Sequence, residues 1–353
     1  VPGARWRFEV DADGALDAPE LVLRLAANRI GDATLARLGD LFAAAAGAPA
    51  GPASGPATGG LPAVPGNGTG ADRPGADGPG ADGTAWYALV PEPAAPAEDA
   101  AWGPAPARVG LLGPVLVRAP GALDTARVDL AAEVVALLAL HPDGVHPTVL
   151  GAAVWPRGVT PDVRDATVDR VRGWLGDGAA GPRLVTAADG RLLLGPEVVV
   201  DWAVLCTLLR TAGRVAGTAP ERDLLGRALA LVRGPFAGGA AGGAYSWLPR
   251  TGLERTVPRV VTAAAHRLAT LRLPGDPAGA GEAARSGLRA DPCAQVVWRD
   301  LLRAEHAQWG ADGVRQAAAQ MREVLADLGT APEPETDALV DDLCPGARAV
   351  AAG

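Results

Sequence analysis

The stretch VRDATVDRVRGWLGDG, residues 163–178, strings Arg164, Arg170 and Arg172 along one helix-length segment, with Thr167 between them. Guanidinium groups and a hydroxyl so spaced suit phosphate oxygens and base edges, which accept the hydrogen bonds that these side chains donate. At 100° per residue, Val163, Ala166, Thr167, Val171, Trp174 and Leu175 gather on one side of such a helix. Asp165, Asp169, Arg172 and Gly173 fall opposite, with Arg164 and Arg170 on the flanks. Two readings of these residues stand side by side. In one, the arginines meet phosphate, joined by Arg183 and Arg191 from the segment that follows. In the other, Arg164, Arg170 and Arg172 form the solvated edge of a packed helix and pair with Asp165 and Asp169. A carboxylate facing a polyanion costs on the order of 1 kcal/mol or more near a surface, although aspartate can also accept from cytosine N4.

The elements that must hold this helix are legible around it. RVGLLGPVLVRA, from Arg108, predicts a strand pair kinked at Gly113-Pro114. DLAAEVVALLALHPDG predicts an amphipathic helix that starts at Asp129 and stops at Pro142-Asp143-Gly144. HPTVLGAAVWP is a shorter second helix closed by Pro156, and Val163–Gly176 is the third. PRLVTAADGRLLLGP then gives two apolar runs about Asp189-Gly190, a hairpin signal. Strand, three helices and hairpin in that order make a winged helix-turn-helix, spanning 106–198. From 199 to 345 the chain reads as helices of three or four turns separated by Gly, Pro and Asp, a tetratricopeptide-like array. The fold class expected is therefore mainly α, a winged helix-turn-helix followed by a tetratricopeptide-like all-α domain.

Ahead of these, residues 1–46 read as a short α/β segment: RWRFEVDADGAL alternates like a strand and turns at Asp13-Gly14, and Ile30–Gly47 has helical spacing. Residues 47–105 form a Gly/Pro/Ala linker, expected to be disordered because its repeat buries too little apolar surface to offset ordering. Within it, TAWYALVPE (84–92) is an apolar island suited to docking.

Charge and cysteine usage limit the possible functions. All 32 basic residues are arginine and the net charge is −8, which excludes a protein that coats nucleic acid or an anionic membrane by bulk charge. Residues 105–200, which hold the candidate DNA-reading helix, carry 9 arginines against 10 acidic groups and are nearly neutral. Cys206, Cys293 and Cys344 make no CxxC pair; Cys206 and Cys293 read as small core residues of a protein in a reducing cytoplasm. The longest apolar run, Leu130–Leu140, is too short to span a membrane, so no membrane contact is expected from this chain itself. His141 and His146 flank a turn with no carboxylate or cysteine at ligand spacing, while His266 and His306 lie in separate helices with no nucleophile. GAGEAA (279–284) follows no strand and reads as an inter-helix turn rather than a dinucleotide loop. No catalytic residue, metal or cofactor is implied. Trp202, Trp247, Trp298 and Trp309 read as core of the helical domain, with a groove for a partner segment as the sharper option.

Several of these segments carry a resemblance. VGLLGPVLV, LLALHPDGV, LGAAVWP, VDRVRGWLG and PRLVTAADGRLLL, together with the helical run from Asp291 to Leu339, resemble the Streptomyces antibiotic regulatory proteins. These regulators join a winged helix to a bacterial transcriptional activator domain, and the likeness covers about residues 108–343. YSWLP (245–249) and RWRFEVDADG resemble the C-terminal portion of a LysM-containing, membrane-linked subgroup. The resemblance implies a transcription regulator whose winged helix docks on duplex DNA through Arg164, Thr167, Arg170, Arg172, Arg183 and Arg191. It also implies a helical domain that contacts a protein partner or a second copy, and a cytoplasmic setting, on its own or as the cytoplasmic part of a membrane-linked protein. The alternative is a non-catalytic scaffold module whose winged helix has lost DNA binding. The sequence departs from the family where it matters for that choice. Asp169 stands where the family has Ser or Thr, Gly173 where it has Arg, and Arg191 where it has Tyr.

Overall fold

The computed structural model describes residues 83–92, 105–239 and 244–345, and the backbone of three short strands near the N-terminus. Those strands, β1 (Glu9–Val10), β2 (Ala15–Ala18) and β3 (Leu23–Ala26), form an antiparallel meander in which Val10 faces Leu16 and Leu16 faces Leu25. They belong to a unit of their own, residues 1–74, and the helix expected over 30–47 lies outside the described residues.

The second unit, residues 75–353, is mainly helical in its described part, whose first element is a 3-10 turn at Ala85–Leu89. β4 (Ala107–Gly110) and β5 (Leu116–Arg118) pair antiparallel, Val109 against Val117, on either side of the expected kink. Next come α1 (Thr125–Ala139), α2 (Pro147–Val154) and α3 (Pro161–Leu175). A small pair, β6 (Asp177–Gly178) with β7 (Gly181–Pro182), leads into the hairpin of β8 (Leu184–Thr186) and β9 (Leu192–Leu194). β10 (Val198–Val200) then returns parallel to β4, Val199 beside Arg108, and closes the first sheet in the order β10-β4-β5. This is a winged helix, with β8 and β9 as the wing.

α1 is its axis. Residues 131–138 are all buried, so the helix is covered on every side rather than along one stripe. Around it Leu111, Leu112, Leu150, Val171, Leu175, Leu184 and Leu192 are each at most 3% exposed, and each such side chain contributes about 1.5–3 kcal/mol by leaving water. α1 begins a turn earlier than the sequence pattern suggests, at Thr125 instead of Asp129. The reason is a cap: the Asp124 carboxylate accepts from the Ala126 N–H at 3.1 Å, which satisfies a free end of the helix. His146 caps α2 by accepting from the Thr148 N–H at 3.3 Å, and the His141 ring nitrogen lies 2.7 Å from the Leu137 carbonyl.

β10 runs directly into an all-α array: α4 (Asp201–Arg214), α5 (Ala219–Leu229), α6 (Leu253–Arg272), α7 (Pro277–Ala290), α8 (Gln295–Asp327) and α9 (Pro334–Leu343). Sequential neighbours pack against one another, so contacts are local along the chain. α8 breaks at Gly310, where φ is 61°, and so comprises the two helices that the sequence divides there. GAGEAA is not a turn: it lies inside α7, started by Pro277 and by the Asp276 carboxylate accepting from the Gly279 N–H at 2.9 Å. Ala280, Ala283 and Ala284 there are nearly inaccessible and let α7 sit close to its neighbours. Trp202, Trp247 and Trp298 are core, but Trp309 is 68% exposed on the last turn before the Gly310 break. Cys206 and Cys344 are buried and Cys293 only partly so, and among the described residues none of the three is joined in a disulfide.

The winged helix and the array meet through buried carboxylates. Asp201, 1% exposed at the start of α4, accepts from the N–H groups of Leu111 and Leu112 at 2.7 and 3.0 Å and from Arg233 at 3.2 Å. Gly110 allows this approach, because a Cβ there would stand 2.4 Å from the Arg233 guanidinium. Glu133, midway along α1, accepts from the Tyr245 N–H at 2.8 Å and the Trp247 indole at 3.2 Å. Among the described residues no helix is long and apolar enough to cross a membrane.

Candidate nucleic-acid interface

α3 is placed by its two ends. Thr160 precedes it in extended conformation, Pro161 takes the first helical position, and Gly176 stops it at φ 65°. Its packed face is Thr167, Val168, Val171, Trp174 and Leu175. Val163, on the apolar stripe by spacing, is instead 53% exposed. It stands in the first turn, and its place in the core is taken by Val168, which is 5% exposed. Asp165, Asp169 and Gly173 face water as expected.

The six candidate contact residues do not form one surface. Thr167 is buried and its hydroxyl donates to the Val163 carbonyl at 2.8 Å, so it holds the helix rather than a ligand. Arg183 is also turned inward, 6% exposed. Its guanidinium donates to the Leu175 carbonyl at 3.0 Å and to Glu197 at 3.2 Å, tying the wing strand to the end of α3. Glu197 in turn accepts from the Ala180 N–H at 2.8 Å.

Of the other four, Arg170, Arg172 and Arg191 are at the surface while Arg164 is only 18% exposed, and three of the four are engaged. Arg164 bonds Asp165 at 2.8 Å, with its stem above Gly151 of α2. Arg172 pairs with Asp169 and also reaches the Thr186 hydroxyl on β8 at 3.3 Å, a second link between helix and wing beside that of Arg183. Arg191 pairs with Asp189 at the wing tip at 3.3 Å. Arg170 is exposed and makes no ion pair among the described residues. Arg157 shares that condition in the loop between α2 and α3. Residue spacing within α3 did not single it out; its position, immediately before a helix whose first turn is exposed, was the available signal.

Electrostatically the face is therefore near balance. Exposed pairs of this kind are worth about 0–1 kcal/mol each, so a phosphate could displace the carboxylate from Arg164, Arg172 or Arg191. The displaced Asp165 and Asp169 would then stand beside the polyanion.

No protein-family model matches the chain, and no curated protein matches it in sequence. Among solved structures the chain is similar to Mycobacterium tuberculosis EmbR, solved in complex with a low affinity phosphopeptide. The two are 23% identical, the match covers 70% of each chain, and the TM-score is 0.48.

Proposed function

We propose that the chain is a transcription-regulator-like, non-catalytic module: a winged helix that docks on duplex DNA, followed by a tetratricopeptide-like array that contacts protein. The observation that supports it best is the arrangement of α3 beside the wing. Asp165, Asp169, Arg170 and Gly173 lie open along one side of the helix, and the wing is held alongside through Arg172 and Thr186. A helix of this kind lies in the major groove while the phosphates are held from its flanks. The resemblance to the Streptomyces antibiotic regulatory proteins agrees with that layout. Arg170 and Arg157, neither of them in an ion pair among the described residues, are the first phosphate contacts, and Arg164, Arg172 and Arg191 follow by exchanging their carboxylates.

A second reading is favoured by one specific observation, the carboxylate already seated on Arg164, Arg172 and Arg191. On that reading the winged helix is a packed platform in a scaffold, and duplex DNA is not its ligand.

Titration of the whole chain against mixed-sequence duplex DNA, followed by anisotropy at about 50 and 200 mM salt, separates the two. The regulator reading expects micromolar binding that weakens steeply with salt, and Arg170→Ala lowers the salt slope by about 1. Absence of binding at the lower salt sinks that reading and leaves the scaffold.

A further inference from the structure

The apolar island is seated on the helical array, and what receives it is a built site. Within residues 84–92, Ala85–Leu89 form a single 3-10 turn with Trp86 and Tyr87 stacked, ring centroids 4.0 Å apart. The Tyr87 hydroxyl donates to Glu221 at 2.8 Å. Glu221, at the start of α5, is fully buried and is held independently by Arg267 of α6 at 2.9 and 3.1 Å and by the Gly217 N–H at 2.7 Å. The Tyr87 ring lies over Gly213 of α4, where a Cβ would meet it at 2.9 Å. Three residues on, Val90 is buried to 2%, its carbonyl accepts from Arg210 at 3.3 Å, and Glu92 pairs with the same arginine at 3.4 Å.

Two features mark this occupant as replaceable. The receptor does not need it: without Tyr87, Glu221 keeps both bonds from Arg267 and the one from Gly217. The fit is also incomplete. The Trp86 indole N–H is buried with no acceptor among the described residues, Leu89 is 49% exposed, and an open depression of about 300 Å³ lined by Tyr87, Arg210, Gly213 and Arg214 lies beside the turn. A buried donor without an acceptor is a standing cost that a better ligand removes.

We infer that the α4–α6 face is a peptide-receptor site that reads a tyrosine hydroxyl through Glu221 and a branched aliphatic residue three positions later. Residues 84–92 are its resident ligand, and a segment of a partner protein with the same Tyr-x-x-Val pattern competes for it. Protonation favours the bond: burial and Glu221 push the Tyr87 phenol upward, so it stays a donor. For Glu221, burial raises the carboxyl, but the bonds from Arg267, Gly217 and Tyr87 outweigh it and hold the group below its ordinary value, so it stays an acceptor.

The probe is a labelled decapeptide of sequence GTAWYALVPE, titrated against the whole chain. Tyr87→Ala with Val90→Ser, which weakens the resident, is expected to bind it at least tenfold more tightly than the wild type does. Adding Gly213→Ala to that variant should reverse the gain at least tenfold, because the new methyl occupies the ring's place while improving the helix. On the wild type, saturating decapeptide should raise hydrogen exchange over 85–90, a readout that needs no variant. Equal binding by wild type and the doubly substituted chain, or no loss from Gly213→Ala, overturns the proposal. A wild-type dimer that the decapeptide dissociates overturns the partner reading as well, since the competing segment is then a second copy of this chain.

Discussion

On the outward face of α3 and on the α4–α6 face of the array, arginine meets carboxylate at hydrogen-bonding distance, yet water treats the two clusters differently. Asp169 is 71% exposed and its partner Arg172 36%, whereas Glu221 is fully buried and Arg267 16% exposed. An exposed pair gives up little when it parts, because solvent takes over both charges. A buried carboxylate has no such replacement, and its partners are fixed by the fold. Similar residue chemistry thus gives an exchangeable surface in one region and a rigid, selective receptor in the other. Truncation at the two places is the largest test of that difference. Glu221→Ala should cost about 3–5 kcal/mol in urea unfolding, since it breaks a buried ion pair and also takes the acceptor from the Gly217 N–H and the Tyr87 hydroxyl. Asp169→Ala should stay within about 1 kcal/mol. If the two variants unfold at similar urea concentrations, the contrast between the regions is wrong.

Arg183 sharpens the boundary inside the winged helix itself. Sequence spacing groups it with the phosphate contacts, but its bonds to the Leu175 carbonyl and Glu197 make it part of the frame. Arg183→Ala is expected to cost about 3 kcal/mol of stability, somewhat less than a fully enclosed pair, because Glu197 is 25% exposed. Its effect on the salt slope of DNA binding should be nil. A stable variant with a reduced slope would return Arg183 to the contact surface.

Much of the frame was legible in the sequence and much of the site was not, for identifiable reasons. Local signals carried well: the kink at Gly113-Pro114, the wing about Asp189-Gly190 and the division of α8 at Gly310 all follow from the residues that stand there. Periodicity carried less well at helix ends. Val163 and Trp309 fall on plausible apolar positions, but the first is in the opening turn of α3 and the second is in the turn before a break. Neither is covered by a neighbour among the described residues. What no pattern reveals is a bond between distant segments. Glu133 with Trp247, Asp201 with Leu111 and Tyr87 with Glu221 are separated by 114, 90 and 134 residues. The island around Tyr87 was visible as a docking segment and Trp247 as core, but nothing in the spacing named Glu221, Glu133 or Asp201 as their partners or as anchors. The contact face of α3 lies between these cases. Asp165 and Asp169 were visible as opposing charges, and their pairing with Arg164 and Arg172 is local.

Removing that opposition is the next test in size. Asp165→Asn with Asp169→Asn releases Arg164 and Arg172 and takes two carboxylates from the face. Duplex DNA should bind about tenfold more tightly at low salt, equivalent to about 1.4 kcal/mol, with a salt slope steeper by nearly 2. Unchanged affinity would show that the carboxylates are not what limits the face, and would favour the scaffold reading.

The smallest expected effect concerns a pair that is neither open nor closed. His266 Nδ1 on α6 lies 2.7 Å from the Asp300 carboxylate on α8; the aspartate is 6% exposed and the histidine 37%. The bond to Asp300 raises the histidine above its ordinary value, against the lowering effect of burial and the nearby charges of Arg303 and Arg299. A raised folded value means that protonation favours the folded state. The contribution is complete below the unfolded histidine value, near 6.5, and is lost as pH rises through the higher folded one. The urea midpoint of the wild type should therefore fall as pH rises above about 6.5, and His266→Gln should flatten that fall without reproducing the loss expected for Glu221→Ala. Were the slope identical in the variant, the histidine would bind protons equally in the folded and unfolded chains, and this pair would join the exchangeable surface contacts rather than the rigid ones.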